Sequence, residues 1–463
     1  FQPSDLSDAV TDIKWSPHDS NIFGSVTSDG RILIWDVRRI DPTVAHPIQP
    51  ELTPQEQETL GKAEADLEKR RARKLEREKQ ANDPLLALAM SMKQQKGEMT
   101  EEDLKPVDTD EQLDEVVDQL LDTDRYAIDT EFHRERTYYP QLALIQIAWP
   151  GDLVLIDPIA VDPEPLAEVF RSTDVEAVLH ACSQDLEVLE LVAGAAPSRI
   201  FDTQIAAAFV GMRTPSLASL HDQLLGLKLP KANRLTDWLR RPLEPEQQAY
   251  AASDVAHLLE IQDLLIDQLE DNGRLAWADD ECELARTKGL SVRKPEEAWL
   301  RIKEARSLGA RARTAAQQLA AWRERSAQDR NIPVRHVLPD LAIVALAQKA
   351  PSDPADVGRT RGLERRGVSK RDAAEIVEVI SEAKDMPPPP TQPRKANGGP
   401  DLRPAVTLIA AWMSQYADDM NLDPAMLGSR SDIEEFVRSG ESRLAHGWRH
   451  DLAGSAIRSL LAG

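Results

Sequence analysis

Tyr126-Ala-Ile-Asp-Thr-Glu-Phe132 sets two carboxylates two residues apart inside a short apolar run. Side chains alternate faces along a strand, so a strand here points Asp129 and Glu131 the same way. Two carboxylates on one strand face are half of a divalent-metal site, whereas an isolated D-x-E is more often a strand end reaching solvent. Further acids decide between these readings. Asp185 opens a helix in His180-Ala-Cys-Ser-Gln-Asp-Leu186, and in the helical stretch 247–257 Tyr250 and Asp254 stand four apart, hence on one helix face. Each fragment has an ordinary explanation: Asp185 as a helix cap, Tyr250 as a half-buried core residue with its hydroxyl at the surface. Together they fit hydrolysis of a phosphodiester by two divalent ions. Hard oxygen ligands suit Mg²⁺ or Mn²⁺, and a phenol at Tyr250 orients the attacking water without being a strong base.

Outward from that stretch the pattern is α/β. Leu113, Val116, Val117, Leu120 and Leu121 mark an amphipathic helix. Strands are expected at 126–129, 142–148, 153–156 and 177–180, with helices at 164–171 and 185–192 between and after them. This predicts an α/β domain with a mixed sheet, residues 106–285. Asn272-Gly273 and the polar stretch to Lys294 are read as its end. Residues 290–385 are almost entirely helical by periodicity, with loops near Asn331 and Ala350. A Pro- and Gly-rich linker, 386–402, leads to a last helical unit at 403–463.

The N-terminal part differs in kind. Residues 1–40 contain short alternating strands around a Ser28-Asp29-Gly30 turn and a Trp35-Asp36 dipeptide, and resemble a single WD repeat. One blade cannot bury both its faces, so this fragment is expected to pack poorly and to play no part in catalysis. Residues 41–105 read as a charged linker, partly helical or disordered, with mixed charges at three- and four-residue spacing over 64–79. Phe1 rather than Met opens the chain, which suggests a fragment or a missing start.

Composition narrows the class. A formal net charge of −23 over 463 residues argues against a generally basic protein that coats nucleic acid, but not against metal ions or a local basic patch. Two cysteines are too few for a disulfide framework or a structural zinc site and point to a reducing, cytoplasmic setting. No apolar run reaches membrane-spanning length.

The order Asp129-x-Glu131, Asp185, Tyr250-x-x-x-Asp254 resembles the four-acid (DEDD) exonuclease superfamily in its tyrosine-containing branch. The flanking segments QLALIQIA (141–148), VLHACSQDLE (178–187), FDTQIA (201–206) and TDWLRRPL (236–243) narrow the resemblance to ribonuclease D. It implies a ribonuclease H-like fold in which Asp129, Glu131 and Asp254 ligate one ion, Asp129 and Asp185 a second, and Tyr250 positions the nucleophile. It further implies a 3′-5′ exoribonuclease acting on RNA, with tRNA precursors the usual class, and needing no small-molecule cofactor. Where relatives carry a small polar residue after the lysine, this chain has Ala232, which bears on local RNA contacts and not on the metal site. Ala-Trp-Arg-Glu-Arg-Ser-Ala-Gln-Asp-Arg-Asn-Ile-Pro, 321–333, is similar to the HRDC domain, a helical nucleic-acid-binding module, and 403–463 to a second, diverged copy. Lys231, Arg234, Arg241, Arg323 and Arg330 are the expected nucleic-acid contacts, against a reading of these as solvated surface. Two other functions remain open at this point: a catalytically idle RNA-binding scaffold, and the same chemistry on single-stranded DNA.

Overall fold

A computed structural model describes the backbone of residues 10–15, 22–27 and 32–36, and residues 106–462 apart from 228–235, 291–293, 364–366 and 390–400. The chain divides into two units, Phe1–Met99 and Thr100–Gly463. In the first, β1 (Val10–Trp15), β2 (Ile22–Thr27) and β3 (Ile32–Asp36) form an antiparallel meander, Gly24 lying opposite both Lys14 and Ile34. These are the short strands expected there. The Ser28-Asp29-Gly30 turn and the charged linker lie outside the described residues.

The second unit is built on a five-stranded sheet of β4 (Arg125–His133), β5 (Gln141–Trp149), β6 (Asp152–Ile156), β7 (Glu176–Leu179) and β8 (Ile200–Asp202). Their order is β6-β5-β4-β7-β8; the first three are antiparallel, and β4, β7 and β8 run parallel. The sheet is mixed, as the alternating pattern predicts.

Three helices cover one face: α1 (Asp110–Leu121), α2 (Leu166–Arg171) and α3 (Ser183–Ala193). Helix α1 starts where the Thr109 side chain accepts from the Gln112 amide, with Asp110 and Glu111 at the positive end of its dipole. Its Leu113, Val116, Val117 and Leu120 meet Ile128, Ile145 and Ile147 of the sheet. The other face carries α4 (Thr203–Ala208), α5 (Pro245–Val255) and α6 (Leu258–Asp271), which cover Ala127, Ala148, Val178 and Phe201. Small strand residues let α5 and α6 approach closely.

The polar stretch after Gly273 does not end the domain. It forms α7 (Leu275–Gly289), packed on α3 and β8 with Cys282 in the core. Its buried face is only Ala278, Glu281 and Cys282, so apolar periodicity gives no sign of it.

Beyond it come α8 (Ala310–Arg330), α9 (Asp340–Lys349) and α10 (Lys370–Glu382), closing a core around Trp299, Leu319, Ile343, Leu346 and Ile376. The last segment contains α11 (Arg403–Asp419), α12 (Arg430–Ser439) and α13 (Ser455–Ala462). It is not a separate globule. Its Ile409, Met413, Phe436 and Trp448 share one core with Phe209, Leu265 and Leu269 of the sheet domain.

The two helical segments follow one order. Helix α8 stops on left-handed Asn331, a single turn Val334–Val337 follows, and α9 ends at left-handed Ala350. Helix α11 is followed by left-handed Asn421, the turn Pro424–Leu427, then α12 ending at left-handed Gly440. Both asparagines grip the sheet domain. Asn331 Oδ1 accepts the main-chain amides of Tyr138 and Tyr139, each at 3.1 Å, and Asn421 Nδ2 donates to the Val210 carbonyl at 2.9 Å. Gly211, at φ +89°, is required at the second contact, because a Cβ there would strike the Asn421 amide.

Glu281 ties α7 to the last segment, pairing with Arg449 and, at 2.7 Å, with Arg443, while Trp448 stacks on Trp277. Removing one partner of a buried pair strands the other charge. Glu281→Ala should therefore cost about 3 kcal/mol or more, read as a lower urea midpoint; an unchanged midpoint would show that this junction carries no stability.

Candidate active site

Past Ala127, which pairs with Val178, strand β4 has no further residue paired with β7. After Ile128 come Asp129, Thr130 and Glu131, at the carboxyl end of the parallel pair, where open sheets present their ligand crevices. Alternation then sorts the side chains. Asp129 and Glu131 fall on the face covered by α5, with Ala127; Thr130 falls on the α3 face, with Ile128 and Phe132.

Helix α5 completes the cluster. It opens with a capping box between Glu244 and Gln247 and with Pro245 in its first turn, and it buries Ala251, Ala252, Asp254 and Val255. Carboxylate oxygens of Asp129, Glu131 and Asp254 all lie within 4.8 Å of one another. Tyr250, one turn earlier on the same helix, rests its ring 6.0 Å from that of buried Trp238.

Asp185 arrives from the opposite face. It sits in the first turn of α3, buried, and its Oδ1 accepts the Thr130 hydroxyl at 2.5 Å. The turn before α3 is fixed from below by Asp202, whose carboxylate accepts four main-chain amides: Ala181 (3.1 Å), Cys182 (2.9 Å), Gln204 (2.8 Å) and Ile205 (3.3 Å). That grip holds Ala181 at a left-handed φ of 60°.

The electrostatics are those of crowded anions. Burial and then the charges of Asp185, Asp254 and Glu131 raise the Asp129 carboxyl well above its ordinary range. Burial, with Asp254 and Asp185 beside it, pushes Glu131 up to about 8. Burial lifts Asp185 to about 6, against the lowering effect of the Thr130 hydrogen bond. Like charges held together in low dielectric call for a cation. The donor set is all oxygen, which selects a hard divalent ion. Gln146 pairs with Asp129 across the β4–β5 ladder, is fully buried, and finds no protein partner for either amide atom among the described residues. Such an orphan beside an acid cluster fits a site completed by what it binds.

All five acid and phenol positions expected from the sequence thus lie around one end of β4, with Asp185 outside the tight trio. The basic positions fare differently. Arg241 is not available to a phosphate: its guanidinium is bidentate on Asp157 (2.5 and 2.7 Å) and donates to the carbonyls of Ala143, Trp238 and Arg240. Arg323 is likewise buried, bonded to the Leu338 carbonyl and Asp340. A guanidinium donates through five N–H groups, and the fold engages both of these with its own carboxylates and carbonyls. Arg330 is more exposed and makes a double contact with Asp372. Lys231 and Arg234 lie outside the described residues. Thr130, Asp202, Trp238 and Gln146 carry no role in the sequence reading, because none belongs to the acid pattern; only their place in the quoted segments marks them.

A model of the 3′-5′ exonuclease family matches residues 104–270, and one of the HRDC domain matches residues 312–380. Both matches lie in the second unit, so the WD-repeat resemblance of residues 1–40 gains nothing from them. Ribonuclease D of Jannaschia sp. (strain CCS1) is 38% identical over 349 residues, covering 73% of this chain and 89% of that protein. Ribonuclease D of Escherichia coli (strain K12) is 33% identical over 368 residues, covering 77% and 97%. The crystal structure of Escherichia coli RNase D, described as an exoribonuclease involved in structured RNA processing, superposes with a TM-score of 0.70 at 32% identity, covering 78% of this chain and 98% of that one. The chain belongs to the ribonuclease D family of 3′-5′ exoribonucleases, which depend on divalent metal, and its cluster of acidic residues lies within the segment that the exonuclease family matches.

Proposed function

We propose that this chain removes nucleotides singly from RNA 3′ ends as nucleoside 5′-monophosphates, with tRNA precursors as its class of substrate and the cytoplasm as its setting. The observation that carries the reading is the convergence of Asp129, Glu131 and Asp254 within 4.8 Å, with Tyr250 on the same helix as Asp254.

Asp129, Glu131 and Asp254 would hold one Mg²⁺ or Mn²⁺, and Asp129 with Asp185 a second. When bound, such ions supply Lewis-acid stabilisation of the charge that builds on the phosphodiester. The chain's own groups do the rest. Tyr250 hydrogen-bonds the attacking water and aims its lone pair at phosphorus, and Trp238 behind the ring limits the phenol's freedom. The water–phosphorus bond forms as the bond from phosphorus to the preceding 3′ oxygen breaks. The water gives up one proton to solvent and the departing oxygen takes one up from solvent, leaving a nucleoside 5′-monophosphate and a new 3′ hydroxyl. Burial of Asp185 and Asp254 and half-burial of Asp129 and Glu131 limit the screening of these acids by bulk water.

The test is release of 5′-mononucleotides from 5′-labelled and 3′-labelled RNA and DNA of one sequence, with Mg²⁺, Mn²⁺ or EDTA. Asp129→Asn should lower kcat at least about a thousandfold, the loss of several kcal/mol of charge stabilisation, with RNA affinity within a few-fold of the parent. Loss of RNA binding together with folding would make Asp129 a structural acid. Tyr250→Phe should lower kcat by about 10²–10⁴ with KM little changed, since the hydroxyl acts on the water and not on the substrate. RNA binding with no release under any metal would favour the idle-scaffold reading.

Proton linkage adds a second test. Glu131 at about 8 and Asp185 at about 6 bind protons more tightly in the folded chain than in the unfolded one. Their protonated forms thus favour folding below the ordinary carboxylate range, and that stability is lost as pH rises through 6 to 8. In EDTA the melting temperature should fall between pH 5 and 8, and Mg²⁺ should restore more at pH 8 than at pH 5. A metal-free protein equally stable at both would mean the acids are not crowded.

A further inference from the structure

We infer that Thr130 is a positioning residue for the reaction: its hydroxyl fixes the carboxylate of Asp185 against the open edge of β4. The inference rests on the reading of Asp185 as a ligand of the second ion.

Asp185 is the one acid of the set that does not come from the α5 face of the sheet. Asp129, Glu131 and Asp254 share that face, and their oxygens gather without help from the other side. Helix α3 lies against the opposite face, with Leu186, Val188 and Leu189 in the core that includes Ile128. Asp185 can join the trio only at the edge of β4, beyond the last residue paired with β7. Within the Asp-Thr-Glu stretch, alternation turns only Thr130 toward α3. Its hydroxyl lies 2.5 Å from Asp185 Oδ1, and Thr130 is itself buried, so water does not compete for the bond.

Side-chain identity matters here. Valine has the shape of threonine without the donor. Serine keeps the donor without the methyl. A hydrogen bond to one carboxylate oxygen restricts rotation about the Asp185 side chain and sets which way the other oxygen faces. Partners of this kind, one step behind a ligand, typically govern metal affinity by about 10–100-fold.

The experiment is titration of the full-length protein with Mn²⁺ by calorimetry, with kcat and KM on a short single-stranded RNA read in parallel, for the parent, Thr130→Val, Thr130→Ser and Asp185→Asn. Thr130→Val should weaken the weaker Mn²⁺ site by about 10-fold or more, leave the tighter site within about twofold, lower kcat and leave the KM for RNA unchanged. Thr130→Ser should recover the parent values, which separates the donor from the packing. Asp185→Asn reports on the underlying reading. If Asp185→Asn weakens the second site and Thr130→Val, folded by its melting curve, does not, Thr130 has no positioning role although Asp185 remains a ligand. If Asp185→Asn changes neither Mn²⁺ site, the ligand reading fails and the role of Thr130 with it. Should Thr130→Val misfold, parent-like Mn²⁺ binding by Thr130→Ser supports the donor role, and a weakened second site in Thr130→Ser overturns it.

Discussion

Like-charge repulsion at the end of β4 is the constraint to which the second unit answers. Three carboxylates whose oxygens lie within 4.8 Å, with a fourth beside them, would move apart in a flexible chain. They stay because each is carried by an element that cannot move alone. Asp129 and Glu131 belong to the strand at the centre of the sheet, paired along its length with β5. Asp254 is on a capped helix packed over β4, β5 and β6. Asp185 follows a turn that Asp202 holds through four main-chain amides. Rigidity of this sort turns repulsion into affinity for a dication, because the chain has no way to relieve it internally.

The same constraint explains how the fold uses its arginines. In a chain with a net charge of −23 the cations are outnumbered, and the fold commits several arginines to its own acids and carbonyls. Arg241 bridges Asp157 to three carbonyls and so anchors the loop that sets Trp238 behind Tyr250. Arg125 reaches across to Gln262 and Asp263, joining β4 to α6, and Arg449 meets Glu281 at the junction with the last helical segment.

Much of this was legible in the sequence, and the reasons are local. The D-x-E pair, the Tyr-x-x-x-Asp pair and the helix-opening Asp185 follow from periods of 2 and 3.6, which hold without regard to tertiary context. The mixed sheet follows from apolar runs of strand length alternating with amphipathic helices. Helix α7 was not legible: its buried face holds a glutamate whose partners, Arg443 and Arg449, lie far along the chain. Nor was the fate of the arginines. Arg241 and Arg323 look alike in sequence to surface phosphate contacts, and only the long-range fold reveals Asp157 and the Leu338 carbonyl waiting for them. Thr130 shows the same limit. Strand alternation tells that it faces away from Asp129, and nothing short of the α3 packing tells that Asp185 is there.

The helical segments then have a part beyond touching RNA. Glu324, Gln328 and Asn331 of the first segment bond the Tyr138 side chain and the amides of Tyr138 and Tyr139. Those tyrosines lie in the connection between β4 and β5, seven to ten residues after Asp129 and Glu131 in the same hairpin, and a loop of that length is otherwise free to move. The second segment sets Trp448 against the Phe209 ring, donates from Asn421 to the Val210 carbonyl and lies close against Gly211, just past α4, whose first turn is capped by Asp202. One left-handed asparagine turn, used twice, thus buttresses the two chain segments that follow the site's two supports, the D-x-E strand and the Asp202 staple. Arg323 and Arg330 are engaged within the first segment itself, by Asp340 and Asp372. The helical half holds the frame within which four repelling acids keep their places.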